Sequence, residues 1–103
     1  MNTKYVSAER FLIKLMGGSP TFGHLIQCHR ECDEISQADL ARKMNISRAH
    51  LCQIEKGQKL VTAQRAARFA RILGYSEVLF IEMAFQDQLR KAGLNFRVNL
   101  EAA

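Results

Sequence analysis

The chain has no tryptophan, one proline and only three cysteines among its 103 residues, and each shortage excludes something. An odd, small number of cysteines implies no disulfide framework, so the fold has to be held by packing. A single proline with six glycines leaves long stretches free to be helical. No apolar run approaches the ~18 residues that a membrane span requires. Lys4, Glu9, Arg10 and Lys14 break up any signal-peptide-like core near the start. A cytoplasmic protein without membrane association is therefore expected. No glycine-rich phosphate cradle is present, and no nucleophile accompanies His29 and its neighbours Asp33 and Glu34. That pair reads as a surface contact, and the chain reads as a protein that is not an enzyme and holds no cofactor.

What is present is a 48% hydrophobic content, enough for a core, and a net charge of +5. One domain is the expectation at this length, although a chain so short buries a modest share of its surface and gains from a partner copy. The charge is uneven: residues 1–20 carry three bases and one acid, residues 21–75 nine and five, and residues 76–103 three and four. The basic part favours a polyanion through counterion release.

Caps and apolar spacing divide the chain into helices. Ser7 opens a short helix over Ala8–Met16, and Gly17-Gly18-Ser19-Pro20 separates it from the main domain. Thr21 caps a helix to about Cys32, with Phe22, Leu25, Ile26 and His29 on one face. Ser36 caps the next, where Ser36-x-x-Asp39 resembles a capping box with a shorter acid, and Leu40, Ala41 and Met44 face inward. Asn45 suits a left-handed turn. Ser47 caps a third helix to about Lys56, with Leu51 and Ile54 inward and Gly57 closing it. Thr62 caps Ala63–Leu73, closed by Gly74. Ser76 caps a last helix from Glu77 to about Lys91, whose stretch Val78–Phe85 is apolar on nearly every side except at Glu82. That stretch implies packing against another helix or a dimer partner rather than a ligand box. Phe96, Val98 and Leu100 then alternate with Arg97, Asn99 and Glu101, which predicts a half-buried strand at the C-terminus.

His24, Cys28 and Cys32 recur every four residues, a spacing that three metal ligands could use. No Cys-x-x-Cys or His-x-x-x-His pair supports them, so Cys28 and Cys32 read as small core-facing residues, with no metal site. Cys52 reads as an inert helical cysteine rather than a redox switch.

The informative segment runs from Ile35 to Gly57. Two short helices are joined by a turn of about four residues, with Ala41 small where they cross and Ile46 plugging the turn. Anchoring through Leu51 and Ile54 leaves Arg48, Ala49, His50, Cys52 and Gln53 on the outer side, where the second helix can enter a major groove. With Ser36-Gln37, Leu40-Ala41, Met44-Asn45-Ile46-Ser47, Leu51 and Ile54-Glu55-x-Gly57, the segment resembles the Cro and lambda-repressor (XRE-type) helix-turn-helix regulators. The likeness covers roughly residues 21–75. Asn45 stands where that family usually has glycine.

The resemblance implies an all-α, lambda-repressor-like domain of five helices, here with the short N-terminal helix and the C-terminal strand added. Residues 1–20 would be an extension, 21–75 the DNA-binding domain, and 76–103 a dimerisation or partner-binding segment. It further implies base contacts from Arg48, Ala49, His50, Gln53 and Gln37. Ser36, Ser47, Lys56, Gln58 and Lys59 would reach phosphates, and Arg30 and Glu55 would form a partly buried ion pair. The expected partner is double-stranded DNA from a prokaryote or phage. A homodimer on a palindromic operator, its strand paired with Lys4–Val6 or with its own copy, would act as a repressor. An antitoxin of the HigA type, which binds a toxin as well as its operon's DNA, is the alternative.

Overall fold

A computed structural model describes residues 21–103; the helix expected at Ala8–Met16 and the segment Lys4–Val6 lie outside the described residues. Five helices succeed one another: α1 (Phe22–Cys32), α2 (Gln37–Met44), α3 (Arg48–Glu55), α4 (Ala63–Leu73) and α5 (Glu77–Lys91). Each begins at a hydroxyl cap. Thr21, Ser36, Ser47, Thr62 and Ser76 each accept a hydrogen bond from the backbone N–H three residues on, satisfying a donor that the helix leaves unpaired. The Asp39 carboxylate pairs with Arg42 at 3.3 Å.

The helices stop by entering the left-handed region. Asn45 does so after α2 with φ 58°, and Gly74 after α4 with φ 81°. After α1 that position falls to Glu34, at φ 55°. The Ile35 and Glu34 amides donate back to the carbonyls of Arg30 and Glu31, so a carboxylate side chain stands where glycine usually closes a helix.

The core is continuous through all five helices: Phe22 and Ile26 from α1, Leu40 and Met44 from α2, Leu51 and Ile54 from α3, Phe69 from α4 and Phe80 from α5. Phe22 meets Phe80 edge-on with centroids 5.1 Å apart, and Tyr75 stacks on Phe80 at 5.3 Å. Such pairs add roughly 0.5–1.5 kcal/mol to the area they bury. α1 crosses α3 at Gly23, where a Cβ would lie 1.9 Å from the Ile54 carbonyl oxygen. Asp87 of α5 accepts the Phe22 N–H at 2.9 Å and so ties α5 to the start of α1; burial pushes its carboxyl above the usual range.

His29 turns inward, as its place on the face of Phe22, Leu25 and Ile26 implied, and is not the surface residue that a pairing with Asp33 or Glu34 suggested. Its side chain is 10% exposed, its Nδ1 lies 2.5 Å from the Tyr75 hydroxyl, and its Nε2 is 3.4 Å from Asp33. The ring of Tyr75 meets it edge-on, a partner that the local pattern could not reveal because 46 residues separate the two.

No strand occurs among the described residues, so the predicted C-terminal strand is a correction. The tail folds back on α5, whose side chains serve its backbone instead of a neighbouring strand. Gln86 donates to the Phe96 carbonyl at 2.7 Å and accepts the Val98 N–H at 2.9 Å, and Glu82 accepts the Leu100 N–H at 2.9 Å. The alternation survives as burial: Val98 and Leu100 are half-buried and Arg97, Asn99 and Glu101 exposed, while Phe96 stays 67% exposed. Glu82 is buried for the same reason.

Candidate nucleic-acid interface

α3 is held from three sides. Leu51 and Ile54 are buried in the core. Gly23 lets α1 press against the Ile54 carbonyl. Glu55, also buried, takes a bidentate contact from Arg30, with Nε 2.9 Å from Oε2 and Nη2 3.1 Å from Oε1. The side chain of Glu55 is 3% exposed and that of Arg30 17%, so the pair is shielded from solvent and salt. Arg30 also donates to the Ile35 carbonyl at 3.3 Å, which fixes the connection into α2. Hydrogen bonding to Glu55 drives the Arg30 guanidinium still further above its ordinary pKa.

Gln37 joins this network, its Nε2 donating to Glu55 Oε1 at 3.1 Å. The sequence suggested Gln37 as a base contact; in the structure its amide nitrogen links the start of α2 to the end of α3.

At about 100° per residue, the buried Leu51, Ile54 and Glu55 define one side of α3 and put Ala49 and Gln53 at the centre of the other. Arg48, Ala49 and Gln53 are all exposed. Arg48 and Cys52 flank one edge of that face, and His50 flanks the other. Ser47 at the cap and Ser36 at the cap of α2 are exposed. Beyond α3, the Gln53 carbonyl accepts the amides of Gln58 and Lys59 at 2.9 and 3.3 Å, and Gly57 turns at φ 73°. This turn holds the exposed Lys56, Gln58 and Lys59 against the end of the helix.

The surroundings are strongly positive. Residues 41–75 contain eight lysines and arginines and one acid, Glu55, which is already engaged by Arg30. α2 and α5 carry an acid in their first turns, Asp39 and Glu77, where it complements the positive helix end; α3 and α4 carry none. Arg65, in the first turn of α4, reaches His50 instead: its Nη1 lies 3.0 Å from Nε2 and 3.3 Å from Nδ1. The His50 pKa is lowered from 6.5 by burial first, then by Arg65 and Lys59.

Residues 34–80 match the helix-turn-helix family model, a span that opens between α1 and α2 and closes in the first turn of α5. They belong to the Cro and lambda-repressor (XRE-type) helix-turn-helix family. No curated protein and no solved structure matches the chain. The family binds DNA and regulates transcription, and so does this chain: it is a DNA-binding transcriptional regulator. In this helix-turn-helix, α2 is the supporting helix, Asn45–Ser47 the turn and α3 the outward-facing second helix.

Three features of the helix-turn-helix escaped the sequence. Gly23 was the traceable one, as a glycine inside a capped helical stretch, which commonly marks close packing. The tie between Gln37 and Glu55 has no local signature. Arg65 left a faint one, a base where a helix start favours an acid. The two cysteines of α1 do not face the core: Cys28 is half-buried and Cys32 exposed. Burial, then Glu31 and Cys32, raise the Cys28 thiol pKa, so its reactive thiolate is disfavoured. Among the described residues no group of three or more histidines, cysteines and acids is placed to hold a metal, and no helix is long and apolar enough to cross a membrane.

Proposed function

We propose that this regulator is a repressor that binds a palindromic operator as a homodimer, with α3 of each copy in the major groove. The observation that carries the reading is the division of α3, with Leu51 and Ile54 locked in the core and Arg48, Ala49 and Gln53 left exposed. Arg48 suits guanine O6 and N7, Gln53 suits adenine N6 and N7, and Ala49 suits a thymine methyl. Gln37, with one amide hydrogen on Glu55, keeps its other amide hydrogen and its Oε1 for a base or phosphate at the groove edge. Ser36 and Ser47 accept backbone N–H groups as caps, which leaves each hydroxyl hydrogen to donate to a phosphate. Lys56, Gln58 and Lys59 supply further backbone contacts.

Residues 21–75 then form the reading unit and residues 76–103 the partner-binding segment. Support for the latter is the apolar surface left on it: Val78 and Phe85 are half-buried on α5, and Leu94 and Phe96 are 48% and 67% exposed. A second copy that covers them would present two α3 helices to half-sites about one turn apart. The same exposed residues also favour a second reading, an antitoxin whose toxin docks there.

Mobility shift with a duplex selected from a random pool, combined with sedimentation at micromolar concentration, tests the proposal. A two-fold symmetric selected site and a dimeric chain are expected. A monomer in solution and on DNA would overturn the dimer. A small protein from the neighbouring reading frame that co-purifies in fixed ratio would favour the antitoxin.

A further inference from the structure

Arg65 and His50 come from different helices, converge to 3.0 Å and share no acid: Arg65 has no ion pair among the described residues, and Lys59 adds a third base beside them. Burial, then Arg65 from α4 and Lys59 from the loop, lower the His50 pKa from 6.5, so the free chain favours the neutral imidazole. On its own helix His50 has Arg48 and Gln53 nearby and again no acid. The Arg65–His50 contact is open to solvent, so an anion can reach both side chains, and position decides which one. His50 flanks the reading face of α3 instead of lying at its centre, so it stands over the rim of a groove entered by Ala49 and Gln53. The rim of a DNA groove is its phosphate backbone.

We propose that Arg65 and His50 form a clamp for one phosphodiester of the DNA backbone, beside the groove that α3 enters. The clamp presupposes that α3 occupies the major groove, and it moves His50 from the base contacts to the backbone contacts. The phosphate supplies the missing negative charge, so His50 takes up a proton as the clamp closes. Binding then strengthens as pH falls, by less than tenfold per pH unit because a single proton is involved.

The clamp contacts backbone, so a mixed-sequence duplex at low salt is a sufficient probe. Affinity is measured against salt and against pH for the wild-type full chain and for Arg65→Ala, Arg65→Lys and His50→Gln. NMR tracks the His50 ring in the free chain, with the duplex and with inorganic phosphate. Arg65→Ala is expected to weaken binding about tenfold and flatten the salt slope by about one unit. Arg65→Lys should restore most of the slope, and His50→Gln should remove the pH dependence. The duplex should raise the His50 pKa, and free phosphate should raise it less at equal phosphate concentration. An equal effect of free phosphate would assign the pair to small anions and overturn the DNA clamp. A duplex that binds with Arg65→Ala as it does with wild type, at unchanged slope, would also overturn it while leaving the groove reading intact. A chain that binds no duplex at all would overturn both.

Discussion

At the scale of single residues, Glu55 matters most to the architecture. It is buried, it neutralises Arg30, and it holds Gln37 in place. Glu55→Ala would strand the guanidinium of Arg30 in a nearly closed setting, and stability should fall by about 3–5 kcal/mol. Urea unfolding reads this directly, and a midpoint equal to wild type would contradict it. His29 gives the fold a pH response. Burial lowers its pKa from 6.5, outweighing the pull of Asp33, while Lys43 lowers it further. The unfolded chain therefore takes up this proton at higher pH than the folded one does. Stability should drop as pH falls through about 6.5, and the drop should level off once the folded ring also titrates. Thermal melts between about pH 7.5 and pH 5 should show the loss for wild type and less of it for His29→Gln. His50 contributes with the same sign, and its more open setting makes its share the smaller.

At the scale of elements, the crossing of α1 and α3 fixes where α3 sits. Any side chain at residue 23 would enter the Ile54 carbonyl, which is backbone and cannot rotate away. Gly23→Ala should therefore cost more than about 2 kcal/mol. The surviving folded fraction should bind DNA more weakly, because α3 has to shift. A stable, fully binding Gly23→Ala protein would show that the helices tolerate separation. The limits of sequence reading are clear at this scale. The five caps were legible because each hydroxyl acts on an amide three residues away, and the buried stripes of α2 and α3 because they obey the helical period. The C-terminal segment misled because period two records only which side chains are covered. It does not say whether a strand or the side chains of a helix satisfy the backbone, and here Glu82 and Gln86 do so. The partners of His29, Gln37 and Arg65 lie 46, 18 and 15 residues distant, beyond any local pattern.

At the scale of the whole molecule, most of the basic charge and the most exposed apolar side chains lie in different parts of the chain. The basic residues gather around α2 to α4, with Glu55 their only acid between residues 41 and 75. Of the three exposed large apolar residues, Leu94 and Phe96, the two most exposed, come after α5, and Leu60 lies beside Lys59 in the loop before α4. The basic stretch suits a polyanion, and the apolar side chains after α5 would suit the proposed partner copy. The central claim is that the outer face of α3 meets base edges in the major groove. Dimethyl sulfate methylates guanine N7, which lies in that groove, so protection by the bound chain on its best selected duplex tests the claim most directly. The account predicts two protected patches about one helical turn apart. With Arg48→Ala, one guanine in each patch should lose protection, and affinity should fall by about 1–3 kcal/mol. Tight binding that leaves every guanine N7 reactive, or a pattern that Arg48→Ala does not change, would contradict it.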